Sequence, residues 1–359
     1  MWKTIKEGRR MNIKDYGFKG EVNIKENKII ARIISTYKER YGVVCDKGVT
    51  FAKLKKANYY RNQEAIYPTI GDFVLLEWND SGDSLITRTL KRKTSFVRTK
   101  PMEDRKSKEG EKEQVIAANF DYVFIMQSLN NNFNIHRLER YLTLAWQSKA
   151  VPVIILTKSD LISNPIEYID KVKKIAPDVD TFTISSKNKD GFENFNKYLK
   201  KGNTVVFLGS SGVGKSTLVN ILAGKEIMKT GEIREEDSRG RHTTTSKHLI
   251  MLPNGAMIID TPGMRELGMW DISDGLNIAF QDVEKFIGKC KFKDCTHTNE
   301  PGCRVLEAIK KGELSQDRYN EYIKLKNEAR YTENSEEYLK KKKIKFKEIS
   351  KKLKNNRRK

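Results

Sequence analysis

Cysteine is scarce in this chain, at four residues in 359. Three of them, Cys290, Cys295 and Cys303, crowd into one short segment while Cys45 stands alone, which excludes a disulfide framework. Long apolar runs are also lacking. No stretch approaches the roughly 20 apolar residues of a membrane-spanning helix. Met1-Trp2-Lys3-Thr4-Ile5-Lys6-Glu7 has no apolar core of a secretion signal. The expectation is a soluble, cytoplasmic protein without a membrane partner. Acidic residues are in deficit, because 47 Asp+Glu face 69 Lys+Arg and leave a net charge of +22. That excess suits a polyanionic partner, nucleic acid first and an acidic membrane surface second. Half of it lies in residues 340–359, where twelve Lys/Arg accompany one Glu. Apolar residues in that tail are sparse (Ile344, Phe346, Ile349, Leu353), so no amphipathic helix supports a membrane reading. The tail is either an RNA anchor or a solvated run.

The expected fold class is multidomain α/β. After an N-terminal extension (1–20), residues 21–97 carry five short runs rich in β-branched and aromatic residues. These are 28–34, 41–45, 48–54, 72–78 and 84–88, each bounded by turn residues. Five such strands suggest a small barrel of the OB-fold type, a nucleic-acid-binding architecture. Residues 98–114 are charged and aperiodic and read as a linker. From 115 to 275 the texture changes. The apolar runs 121–126, 151–156, 181–184, 204–208 and 257–259 lack polar alternation and are interleaved with helical stretches. That pattern implies a parallel sheet covered on both faces. Asn134 caps a helix whose Ile135, Leu138, Leu142 and Trp146 share one face. Residues 276–335 bear the cysteines and then turn helical, with Ser315 as a cap, and 336–359 form the basic tail.

Within 115–275 lie the parts of a nucleotide site. Gly209-Ser210-Ser211-Gly212-Val213-Gly214-Lys215-Ser216-Thr217 fits G-x-x-x-x-G-K-[ST] between a strand and a helical run. Glycines let backbone N–H groups converge on phosphate oxygens, and the helix N-terminus adds positive charge. Lys215 is placed to neutralise the β and γ phosphates and Ser216 to ligate Mg²⁺. Asp260-Thr261-Pro262-Gly263 ends an apolar strand, so Asp260 can reach the Mg²⁺ and the Gly263 amide the γ-phosphate. Thr157-Lys158-Ser159-Asp160 fits [NT]-K-x-D. Its Asp160 carboxylate accepts from guanine N1–H and the N2 amine together, which adenine cannot match. The Lys158 stem can pack along the base. Ser185-Ser186, after the next strand, is a candidate final base loop. Between the phosphate loop and Asp260 runs Ser238-Arg239-Gly240-Arg241-His242-Thr243-Thr244-Thr245. One of its threonines should close on Mg²⁺, and Thr244 is favoured. Position 264 holds Met264, where many GTPases carry the Gln that orients the attacking water. A thioether cannot do that, and His242 is the nearest substitute, unless it only packs. The base reader precedes the phosphate loop, the reverse of the ordinary order, so the unit is circularly permuted.

Cys290, Cys295, His297 and Cys303 give C-x4-C-x-H-x5-C, a closed set that suits one structural Zn²⁺. This knuckle, the permuted order, the Arg-His-Thr-Thr-Thr segment, the 114–121 stretch and the helix at 137–142 together resemble the RsgA (YjeQ) family. These are the bacterial GTPases that depend on the small ribosomal subunit. The resemblance covers roughly residues 20–330. It implies an OB-fold, a permuted GTPase domain and a zinc-binding C-terminal domain. It implies docking on the 30S subunit and its 16S rRNA late in maturation, and a monomer is expected. Conversion of GTP to GDP would then be stimulated by the subunit and tied to release. It also implies a catalytic role for His242.

Overall fold

The computed structural model describes residues 11–22, 27–60, 65–99, 113–228, 247–260 and 273–333. The chain divides into two compact units, one of residues 1–97 with 113–267 and the other of 98–112 with 268–359.

The first unit opens on the five expected strands. They are β1 (Ile29–Thr36), β2 (Tyr41–Cys45), β3 (Gly48–Leu54), β4 (Phe73–Glu77) and β5 (Ser84–Thr89), with a short helix α1 (Lys56–Tyr60) after β3. Hydrogen-bonded pairing runs β1–β2–β3–β5–β4 and returns from β4 to β1, closing an OB-like barrel with no free edge. Ala31, Ile33, Val43, Cys45, Val74, Leu76 and Ile86 fill its interior. Cys45 is thus a core residue of the barrel, and burial pushes its thiol up.

Two strands that composition hid follow. β6 (Ser95–Thr99) and β7 (Glu113–Ala118) pair with each other and frame the charged stretch. Then come β8 (Tyr122–Ser128), α2 (Ile135–Gln147), β9 (Val151–Thr157), α3 (Ile166–Ile175), β10 (Thr181–Thr183), β11 (Thr204–Gly209), α4 (Lys215–Ala223), β12 (Lys247–Met251) and β13 (Met257–Asp260). β10, β9, β8, β11 and β13 lie side by side in parallel. β12 adds antiparallel to β13 and then pairs with β1 of the barrel, so one sheet runs through both. Asn134 caps α2 through a bond from the Arg137 amide to its side chain, as its position before an apolar-periodic run requires. Phe124, Val153, Val205, Phe207 and Ile258 form the core of this layer.

Arg32 of β1 is fully buried where barrel and sheet meet. Its guanidinium donates to the carbonyls of Tyr16 (2.6 Å), Gly71 (3.2 Å) and Asn119 (2.7 Å) and to Thr204 Oγ1 (2.9 Å). Burial lowers its pKa to about 10, against the pull of Asp121 and Asp72. It therefore stays charged at neutral pH, and oxygen acceptors replace its lost water.

The second unit holds α5 (Ser273–Ala279), α6 (Gln281–Glu284), the cysteine loop, α7 (Arg304–Lys310) and α8 (Gln316–Glu333). Arg318 ties α8 to α5 and α6, with both Asp282 oxygens at 3.0 Å, Ala279 O at 2.6 Å and the Phe280 ring 4.0 Å beneath its guanidinium. Tyr322 donates to Glu284 at 2.6 Å.

Candidate functional site

β11 delivers the phosphate loop to the carboxyl end of the parallel strands, where open α/β sheets bind ligands. Gly214 precedes α4 with φ +92°, a left-handed conformation that a side chain would strain. Gly209 is needed for a different reason, since a Cβ there would sit 3.0 Å from Met126 O and from Val213 Cγ2. Lys215 opens α4, followed by Ser216 and Thr217 in its first turn.

The Thr157-Lys158-Ser159-Asp160 segment begins at the last residue of β9, next to this loop. Thr157 is buried, and its hydroxyl donates to Val213 O at 2.7 Å. That bond joins Thr157-Lys158-Ser159-Asp160 to the phosphate loop across 56 residues of chain. Lys158 takes a left-handed turn with φ +58°, and Asp160 lies in the single 3-10 turn after it. Ser185 donates to Asp160 Oδ1 at 2.7 Å, and this bond is the main reason the Asp160 carboxyl sits below the usual range. The Ser185 segment is thus brought beside Asp160, with Ser159 N bonded to Ile184 O at 3.1 Å. Ser186 follows in the turn after Ser185.

Asp260 ends β13 as expected. Burial raises its carboxyl pKa, while Lys215 and His248 pull it down. His242, Thr243, Thr244, Thr245, Gly263 and Met264 lie outside the described residues.

Three neighbours of the site were not singled out from sequence. Gln127 clamps the loop before α2, exchanging bonds with Asn134 N (3.0 Å) and Asn134 O (2.8 Å). Asn132 donates to Ser210 Oγ at 3.3 Å, and Arg137 donates to Asn132 Oδ1 at 3.1 Å. His248 pairs with Asp260 across the β12–β13 ladder. The position of Gln127 at the end of an apolar strand beside the phosphate-loop strand was the available signal. The other two depend on contacts between distant segments.

In the second unit, Cys290, Cys295, His297 and Cys303 converge. His297 Nδ1 lies 3.4 Å from each of the three sulfurs, and Cys290 Sγ is 3.9 Å from Cys303 Sγ. All four ligand atoms lie within 4.8 Å of one another. Tetrahedral Zn²⁺, with bonds of about 2.3 Å to sulfur and about 2.0 Å to nitrogen, sets ligand separations of that size. The donor set therefore fits one zinc. Glu300 shapes the loop by accepting from Thr296 N, Thr298 N and Asn299 N, and Cys303 also caps α7.

The sequence model of the family described as RsgA GTPase matches residues 89–270. A second, described as ABC transporter, matches 192–355, a stretch that includes the phosphate loop but less than half of the chain. The chain is 43% identical over 326 residues to Small ribosomal subunit biogenesis GTPase RsgA 2 of Listeria monocytogenes, covering 89% of this chain and 90% of that protein. It is 42% identical over 348 residues to RsgA 1 of Listeria innocua, covering 96% and 97%. In fold it is similar to the crystal structure of YjeQ from Thermotoga maritima, with a TM-score of 0.61 at 24% identity over 83% of this chain and 97% of that one. It is also similar to YloQ, a circularly permuted GTPase, with a TM-score of 0.58 at 23% identity over 87% and 98%. The barrel, the permuted nucleotide sheet, the Cys3His cluster and these relatives agree: the chain belongs to the RsgA family of circularly permuted GTPases.

Proposed function

We propose that this protein is a checkpoint GTPase of small ribosomal subunit maturation. It binds the 30S subunit and its rRNA with GTP in place, hydrolyses GTP when the subunit is ready, and leaves. The observation that carries this reading is the joining of the Thr157-Lys158-Ser159-Asp160 segment to the phosphate loop, in one continuous sheet with an OB-like barrel. The relatives' names supply the ribosomal setting.

The roles follow from the residues. Asp160, oriented by Ser185, accepts from the guanine N1–H and N2 amine, with the Lys158 stem along the base. The amides of 209–217 and the Lys215 ammonium hold the phosphates. Ser216, Asp260 and Thr244 would hold Mg²⁺, which supplies charge neutralisation between the β and γ phosphates. An attacking water adds to the γ-phosphorus as the bond to the β-phosphate oxygen breaks, giving GDP and phosphate. With Met264 unable to orient that water, His242 does so on the bound subunit. Loss of the γ-phosphate releases the segment and weakens binding. Zn²⁺ on Cys290, Cys295, His297 and Cys303 is structural, since four protein ligands leave no open position.

Turnover with and without purified small subunits tests the reading. Stimulation by orders of magnitude is expected, and equal rates would remove the checkpoint. Lys215→Ala should abolish tight GTP binding. His242→Ala should slow stimulated hydrolysis while leaving GTP affinity intact; a normal rate returns His242 to a packing role.

A further inference from the structure

Strand β1 changes partner along its length. Ile29 to Arg32 pair with β4 to close the barrel, whereas Ser35 and Thr36 pair with β12. The change follows a register shift between Ile33 and Ser35. Irregularities of this kind re-aim a strand. The Ser35 side chain fills the space over Gly42 of β2, since a Cβ there would fall 2.2 Å from the buried Ser35 Oγ. β12 is thereby held on both edges, with His248 opposite Ser35 on one side and opposite Asp260 on the other. The His248 ring stands edge-on to Tyr37, centroids 6.4 Å apart at 74°. Tyr37 in turn meets Phe51 at 6.0 Å. Both of those rings are exposed, at 43% and 40%, and Arg40 lies 4.1 Å over Phe51. Packed rings and ladder bonds therefore run from an exposed corner of the barrel to Asp260.

We propose that Tyr37 and His248 are positioning residues for the nucleotide site. Their packing across the β1–β12 seam sets the placement of Asp260, so a planar base stacked on Tyr37 and Phe51 alters Mg²⁺-dependent GTP handling. The inference rests on the assignment of Asp260 to Mg²⁺ made above.

The test is the Mg²⁺ half-saturation of GTP hydrolysis by the full chain. Tyr37→Ala and His248→Ala should each raise it roughly three- to tenfold, since both remove the Tyr37–His248 ring contact. Tyr37→Phe and His248→Phe, which keep the rings, should restore it to within about twofold. A purely structural role would lower the thermal midpoint and leave half-saturation unmoved. Tyr37 is exposed, so its Ala variant should fold, and Lys171→Ala on α3 serves as an unaffected control. A single-stranded RNA oligonucleotide should shift half-saturation in the parent chain and not in Tyr37→Ala. No shift in the parent, or an equal shift in both, overturns the base-stacking part. Asp260→Asn separates the two layers. If it leaves half-saturation unchanged, the Mg²⁺ assignment falls and the inference with it. If it shifts while Tyr37→Ala and His248→Ala do not, the inference alone falls.

Discussion

Asp160 and Thr157 serve one site in different ways. Asp160 accepts from Ser185, which holds its carboxyl below the usual range, and in the proposed function it meets a base that donates twice. Thr157 is buried, and its hydroxyl holds the phosphate loop through Val213 O. The two should respond differently to substitution. Asp160→Asn should exchange GTP for xanthosine triphosphate, which competition binding will show, because an amide donor replaces the acceptor. Thr157→Val leaves the Val213 carbonyl unpaired in a buried place and should cost about 1–3 kcal/mol of stability in denaturant titration. These residues were legible in the sequence because each sits inside a short motif with fixed spacing. The Thr157–Val213 bond, Asn132 on Ser210 and His248 beside Asp260 were not, since nothing local marks contacts between segments tens of residues apart.

At the scale of elements, the barrel strands were readable because each is rich in β-branched or aromatic residues and bounded by turn residues. β6, β7 and β12 escaped notice. β6 and β7 flank a charged stretch that masks them, and β12 has only one fully buried residue, Leu249. The pairing of β1 with β12 was invisible for a further reason: one sequence gives no sign that a barrel strand also joins the nucleotide sheet. Two elements carry tests. Asp72 is completely buried and held by Arg92 at 2.9 and 2.7 Å, with Thr69 N adding a bond at 2.8 Å. Arg92→Ala strands that carboxylate and should destabilise the first unit by about 3–5 kcal/mol in thermal or chemical unfolding. In the second unit, a zinc ion on Cys290, Cys295, His297 and Cys303 would help fold their loop. Purified protein should contain one equivalent of zinc, and Cys290→Ser should lose it and raise hydrogen exchange across 286–310.

At the scale of the whole molecule, charge and nucleotide chemistry have to act together. The +22 net charge favours an RNA partner, and binding that releases counterions must weaken with salt. Subunit affinity should fall by about a thousandfold or more between roughly 50 and 200 mM salt if six or more phosphates are contacted. Removing 340–359, with half the net charge, should flatten that slope while GTP hydrolysis by the free protein stays as it was. None of this matters unless the reordered segments make a guanine pocket. Titration of the purified protein with labelled GTP and ATP, at saturating Mg²⁺, tests that most directly. The account predicts that GTP binds at least about a thousandfold more tightly, because adenine leaves the Asp160 carboxylate unpaired. Equal affinity for ATP, or no binding of either, would contradict it.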